Sequence, residues 1–173
     1  TELNHQDVSG RTKLIDEAIL HDKAVRMAKA LEADGFDASA TEDLDDAVAS
    51  ADTISAATLS SEPLIKGSLV KPGTHIDLVG AFTPTMRESD DDCIRRASIF
   101  VDTFEGATKE GGDIVQPLKS GVLTENDICA DLTALASGDH KGRASADEIT
   151  LFKSTGAALE DLAAAILAAK LAA

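Results

Sequence analysis

Two short stretches of this chain carry residue types that could meet a ligand: Thr58-Leu-Ser-Ser61 and Gly80-Ala-Phe-Thr-Pro84. Each follows an apolar run, 53–58 and 75–80, with the length and flanking turn signals of a buried parallel strand. Lys71-Pro72-Gly73-Thr74 turns the chain between them. In an open parallel sheet ligands gather beyond the carboxyl ends of the strands, so the hydroxyls from Thr58 to Ser61 and the bare backbone of Gly80 stand where chemistry is expected. Each also has a plain structural reading, since a strand-terminal threonine can cap a turn and a glycine can simply make a tight one. Placement alone names no reaction.

The other reactive residue types point less clearly to chemistry. Glu42, Asp43, Asp45 and Asp46 open a short helix, where carboxylates suit the positive N-terminal end, and are not expected to bind metal. Cys93 and Cys129 fall in no C-x-x-C or metal spacing and read as reduced, semi-buried cysteines. His75 lies in a turn before a strand, where a structural role is expected, and His21 and His140 flank polar segments. Asp113 and Asp161 are accounted for as buried or capping carboxylates. Lys153-Ser154 precedes a helix, for which Ser154 or Thr155 is the natural N-cap. No G-x-G-x-x-G phosphate turn occurs anywhere, and the glycine pair Gly111-Gly112 is out of place for one.

Composition narrows the partners. A net charge of −15 argues against nucleic acid and anionic membrane, both of which need a Lys/Arg footprint. Five Phe with no Trp or Tyr leave little for base stacking. No apolar run reaches the ~18 residues of a membrane span and no basic-plus-apolar leader opens the chain, so the expected location is the cytoplasm.

The elements that must position these residues alternate between strand and helix, which predicts a parallel α/β sheet. Residues 1–20 have no clean period, although Leu14, Ile15, Ile19 and Leu20 could line a helix face. Ala24, Met27, Ala28 and Leu31 follow helical spacing and Gly35 is placed to end that helix. A strand over 36–40, a helix over 43–50, a helix over 87–97, a strand over 98–102 and a helix within 127–137 ending at Gly138 are expected next. Residues 105–113 form a polar loop or short helix. An extended segment over 148–152 then leads to a long helix opened by Gly156, with Leu159, Leu162, Ala163, Ile166 and Leu167 on one stripe.

Several of these motifs, in order, resemble the ornithine cyclodeaminase/mu-crystallin family. They are Thr58-Leu-Ser-Ser-Glu-Pro63, Pro72-Gly-Thr-His-Ile76 with Val79-Gly80, Arg87-Glu88, Gly112-Asp113, and 148–156 followed by Leu159-Glu-Asp161. The resemblance implies an NAD(P)-dependent enzyme acting on amino acids or cyclic imines. It implies an incomplete Rossmann-like parallel sheet over 21–145, after an unclear segment 1–20. Residues 146–173 would be a strand and long helix returning to a substrate and dimerisation domain. It also implies a likeness to the C-terminal part of such enzymes, with the phosphate turn and the cations for the substrate carboxylate lying before it.

By the same resemblance Thr58 lies near the nicotinamide ribose, Gly80 admits the cofactor, and Lys153-Ser154 passes beneath it. Gly10-Arg11-Thr12 matches a strand-ending step whose Arg11 and Thr12 would meet a 2′-phosphate, or else belongs to a flexible tail. At position 82 ornithine-cyclising members carry an Asp able to handle a proton; Phe82 has none to exchange. That favours NAD(P)H-dependent reduction of a preformed ketimine, Δ1-pyrroline-2-carboxylate or Δ1-piperideine-2-carboxylate, by an enzyme expected to be a homodimer. Ornithine cyclodeamination and a non-catalytic remnant are the alternatives.

Overall fold

The computed structural model describes residues 2–6, 11–15 and 21–172. Eight strands form one sheet in the order β3-β2-β1-β4-β5-β8-β6-β7. They are β1 (Glu2–Gln6), β2 (Arg11–Ile15), β3 (Asp37–Thr41), β4 (Thr53–Ala57), β5 (His75–Leu78), β6 (Ser98–Val101), β7 (Ile128–Asp131) and β8 (Thr150–Lys153). Every neighbouring pair is parallel except that β1 runs antiparallel to both β2 and β4. The parallel strands therefore send their carboxyl ends to one edge.

Strand alternation builds the core. Ile54 and Ala56, Ile76 and Leu78, Ile99 and Val101, and Leu151 all turn to one face and are buried. Helices α2 (Leu44–Ser50), α3 (Asp91–Arg96) and α5 (Gly112–Ser120) cover that face with Ala47, Val48, Cys93, Ile94 and Ile114. Helix α1 (His21–Ala33) packs Ala24 and Ala28 on Ala38 of β3. It ends as its sequence predicts. The Phe36 amide reaches the Leu31 carbonyl, the Gly35 amide reaches Glu32, and Gly35 takes φ +94°, which is a Schellman closure.

Four segments depart from expectation. Leu14 and Ile15 lie in strand β2, whose backbone pairs on both sides, while Ile19 and Leu20 fall outside the described residues. Sheet pairing overrides a weak local signal there. The helix expected over 87–97 begins only at Asp91, capped by Asp90 accepting from the Cys93 amide, because Glu88 and Ser89 are held elsewhere. The segment 127–137 divides into β7 and α6 (Leu132–Ser137). Burial of Ile128 and Ala130 around an exposed Cys129 has a strand's period of two, and Asp131 then caps the helix through the Ala134 amide. Helix α5, with Pro117 inside it, was not foreseen; it follows α4 (Phe104–Lys109) after two residues.

Helix α7 (Ala158–Leu171) contains no buried residue. Its leucines at 159, 162 and 167 are 74, 55 and 58% exposed. Ala157 takes the N-cap position without a side-chain bond, so neither Ser154 nor Thr155 caps this helix. No described helix is long and apolar enough to cross a membrane.

Candidate functional site

Thr58, Gly80, Asp102 and Ser154 follow the last residues of β4, β5, β6 and β8, and so share the carboxyl edge. Beneath that edge, Lys153, Glu88 and Asp113 are each fully buried. Lys153 Nζ donates to the carbonyl oxygens of Gly80 and, at 3.3 Å, Leu78, and stands 3.9 Å from Asp113 Oδ2. Glu88 Oε1 accepts the Thr58 amide. Asp113 Oδ1 accepts the Glu88 amide (2.9 Å), the Ser89 amide (2.8 Å) and the Ser89 hydroxyl (2.9 Å). These bonds hold Glu88 and Ser89 extended ahead of α3.

The electrostatics follow from burial. Loss of water pushes the Glu88 and Asp113 carboxyls up, against the pull of Thr58 on the first and of Ser89 and Lys153 on the second. Burial likewise lowers Lys153, opposed by the nearby carboxylates, Asp113 first. Asp102, 3% exposed, makes a second anchor: it accepts amides from Thr103 (2.6 Å), Thr155 (2.7 Å) and Gly156 (2.7 Å), and the Ser154 hydroxyl at 3.4 Å. It fixes the turn leaving β8.

The expected site residues thus separate into supports and surface. Thr58 is 1% exposed, with its hydroxyl accepting from the Ser60 amide. Gly80 lacks a side chain because a Cβ would overlap the Thr58 backbone and Glu88 Oε1. Lys153 points inward and Ser154 leans on Asp102. Phe82 is different: it is 48% exposed beyond β5, next to Ala81, the one described non-glycine residue with positive φ (+48°). Leu59 and Val79 are also exposed at this edge. Arg11 and Thr12 open β2, pairing with Asp37 and Ala38, and their side chains lie outside the described part.

His75, His140 and the two cysteines stay apart from the edge. His75 Nδ1 meets Thr150 Oγ1 at 2.8 Å, and burial lowers its pKa. His140 packs edge-on to Phe100. Cys93 is buried, which pushes its thiol up, and Cys129 is exposed. Among the described residues no group of three His, Cys, Asp or Glu could hold a metal ion. Sequence reasoning missed Glu88 and Asp102 as anchors. Their signals were a carboxylate in the Arg87-Glu88 step, read as a motif at the start of a helix, and another at the end of the strand expected over 98–102.

A family model described as the ornithine cyclodeaminase/mu-crystallin family matches residues 12–170. The Δ1-pyrroline-2-carboxylate reductase of Paracoccus denitrificans is 44% identical over 131 residues, covering 75% of this chain and 42% of that protein. The Thermococcus litoralis Δ1-pyrroline-2-carboxylate reductase, solved with NADH and L-proline, superposes with a TM-score of 0.87 at 36% identity, over 91% of this chain and 49% of that one. An archaeal alanine dehydrogenase dimer with bound NAD gives 0.82 at 34% identity, over 90% and 47%. The chain spans about half the length of these relatives or less.

Proposed function

This chain belongs to the ornithine cyclodeaminase/mu-crystallin family, and from that premise we propose that it forms the cofactor-binding part of an NAD(P)H-dependent ketimine reductase. The observation that carries the reading is Phe82, exposed at the carboxyl edge with no proton to exchange. The proposed substrate is Δ1-pyrroline-2-carboxylate or its six-membered homologue, with an L-imino acid as product.

The described residues fit one end of such a cofactor. Leu59, Val79 and Phe82 expose apolar surface around the bends after β4 and β5, a seat for a flat ring that β-strand ends commonly offer. A glycine-rich phosphate turn is not among the chain's motifs. When bound, the reduced nicotinamide supplies hydride to the C=N carbon. The chain's own residues hold the backbone at 58 and 80–82 and shield that seat with Phe82. Lys153, engaged inside the fold, does not reach a substrate carboxylate.

One observation favours a second reading, a folded remnant without chemistry. In doubly wound dinucleotide folds the strand beside the fourth carries the phosphate turn and runs parallel to it. Here β1 takes that place and runs antiparallel. Ornithine cyclodeamination has no such support, because Phe82 lacks the carboxylate it calls for. A homodimer is the proposed assembly, supported by the uncovered apolar residues of α7 and by the dimeric alanine dehydrogenase. The two free cysteines accord with a cytoplasmic location.

The test is NADH and NADPH consumption by the 173-residue chain with Δ1-pyrroline-2-carboxylate, alongside a fluorescence titration of cofactor binding. Cofactor binding is the expected result. Turnover in addition establishes the reductase reading for this chain by itself; the absence of both binding and turnover overturns the reading that this chain alone forms a cofactor site.

A further inference from the structure

The carboxyl edge rests on a cluster with an unusual charge count. Lys153 is a cation facing two carboxyls, all three without solvent exposure, and Glu88 Oε2 and Asp113 Oδ2 have no hydrogen-bond partner. Such groups are costly to bury unless paired. Asp113 accepts three donors through its other oxygen and faces Lys153, whereas Glu88 is met by Thr58 alone, through its amide and its hydroxyl. The proton that balances the count therefore belongs on Glu88.

Apart from the Ser89 hydroxyl on Asp113 and the Thr58 hydroxyl on Glu88, the cluster's hydrogen bonds end on backbone. Lys153 of β8 holds the carbonyls of Leu78 and Gly80 in β5 and its bend. Glu88 holds the Thr58 amide after β4. The Gly112 amide, next to Asp113, donates to the Ala81 carbonyl at 2.9 Å. Gly111 leaves Lys153 room, since a Cβ there would stand 3.1 Å from Lys153 Cε. Five separate segments, at 58, 78–81, 88–89, 112–113 and 153, are thus tied to one buried point.

We propose that Lys153, Glu88 and Asp113 are positioning residues, a buried clamp with Glu88 neutral that fixes the backbone at 58 and 80–81 in the shape that receives the cofactor, without touching it. The purpose, though not the clamp, rests on the cofactor reading above. The charged groups facing Glu88 are Asp113 and Lys153; those facing Lys153 are Asp113, Glu88, Asp102 and Asp77. Glu88 is raised by burial, so its contribution is present at lower pH and is lost as pH rises through its folded-state value.

Two readouts on the 173-residue chain test this: amide protection at Thr58, Gly80 and Ala81 by NMR exchange, referenced to the unfolded chain at each pH, and NADH titration by fluorescence. Lys153→Met is expected to lower protection at these three amides at least ~10-fold relative to Ile99 and Val101, and to weaken NADH binding by a similar factor. If that variant does not fold, Lys153→Met/Asp113→Asn removes both charges together and is expected to fold with the clamp open. Glu88→Gln keeps the acceptor for Thr58 and removes the titration. It is expected to match the parent at pH values below the Glu88 transition and to abolish the parent's loss of protection as pH rises through that transition, which a merely structural role would leave in place.

Parent-like protection in either folded Lys153 variant, failure of the double variant to fold, or an unchanged pH profile in Glu88→Gln overturns the proposal. An open clamp in a chain whose parent binds neither NADH nor NADPH leaves the clamp standing and overturns the cofactor reading instead.

Discussion

A methyl group at Gly80 would overlap the nitrogen and carbonyl oxygen of Thr58 and Glu88 Oε1, so this glycine is required by internal packing beneath the edge. Gly80→Ala is expected to cost about 2–3 kcal/mol, the scale of overpacking a rigid core. Urea denaturation checks it, and a loss under ~0.5 kcal/mol would show that the strand ends can spread. Phe82 sets the opposite case. Being half exposed, it can change without loss of fold. If the proposed reductase activity holds, Phe82→Asp in an active form is expected to lower imine reduction by about tenfold or more, the scale of one misplaced ionisable group at a reacting centre, and to admit ornithine-dependent ammonia release. Unchanged kinetics with both substrates would sink the inference drawn from that position.

Element by element, local chemistry and tertiary demand mostly agree, and they part where the edge is built. Asp43, Asp90, Thr103 and Asp131 each accept the amide three residues on, as N-caps should. Arg87 to Asp90 is the exception. Its charges suit a helix start, yet Asp113 takes the amides of Glu88 and Ser89 and delays the helix. Helix α7 is the other exception, for it has helical propensity and no core contact. Its removal, residues 158–173, is therefore expected to change unfolding free energy by no more than about 0.5 kcal/mol, the range of surface changes. A large loss in a denaturant titration would mean that α7 packs on the sheet in solution.

For the whole molecule, an eight-stranded sheet has its main core on one face, under α2, α3 and α5, and an apolar helix standing free at its end. An exposed apolar stripe of this length invites a partner. Light scattering is expected to show self-association that disappears when residues 158–173 are removed. A monomer in both forms would leave the homodimer reading without support from this chain.

The sequence by itself determined the alternation of strand and helix, the carboxyl ends where a ligand would sit, the helix stops at Gly35 and Gly138, and the family. Those depend on periodicity, turn residues and motif order, which are local. It also exposed Phe82 as the position to watch. Tertiary structure alone decided that β2 is a strand, that β1 runs against its neighbours, and that Thr58, Gly80 and Lys153 are buried. Each of those depends on pairing between residues far apart in the chain. Lys153 shows why: before a helix it reads as an ordinary lysine beside a cap, and only the approach of β5, Glu88 and Asp113 from elsewhere makes it a buried cation holding two carbonyls. Burial is a property of the assembled fold, and it changes what a charge can do.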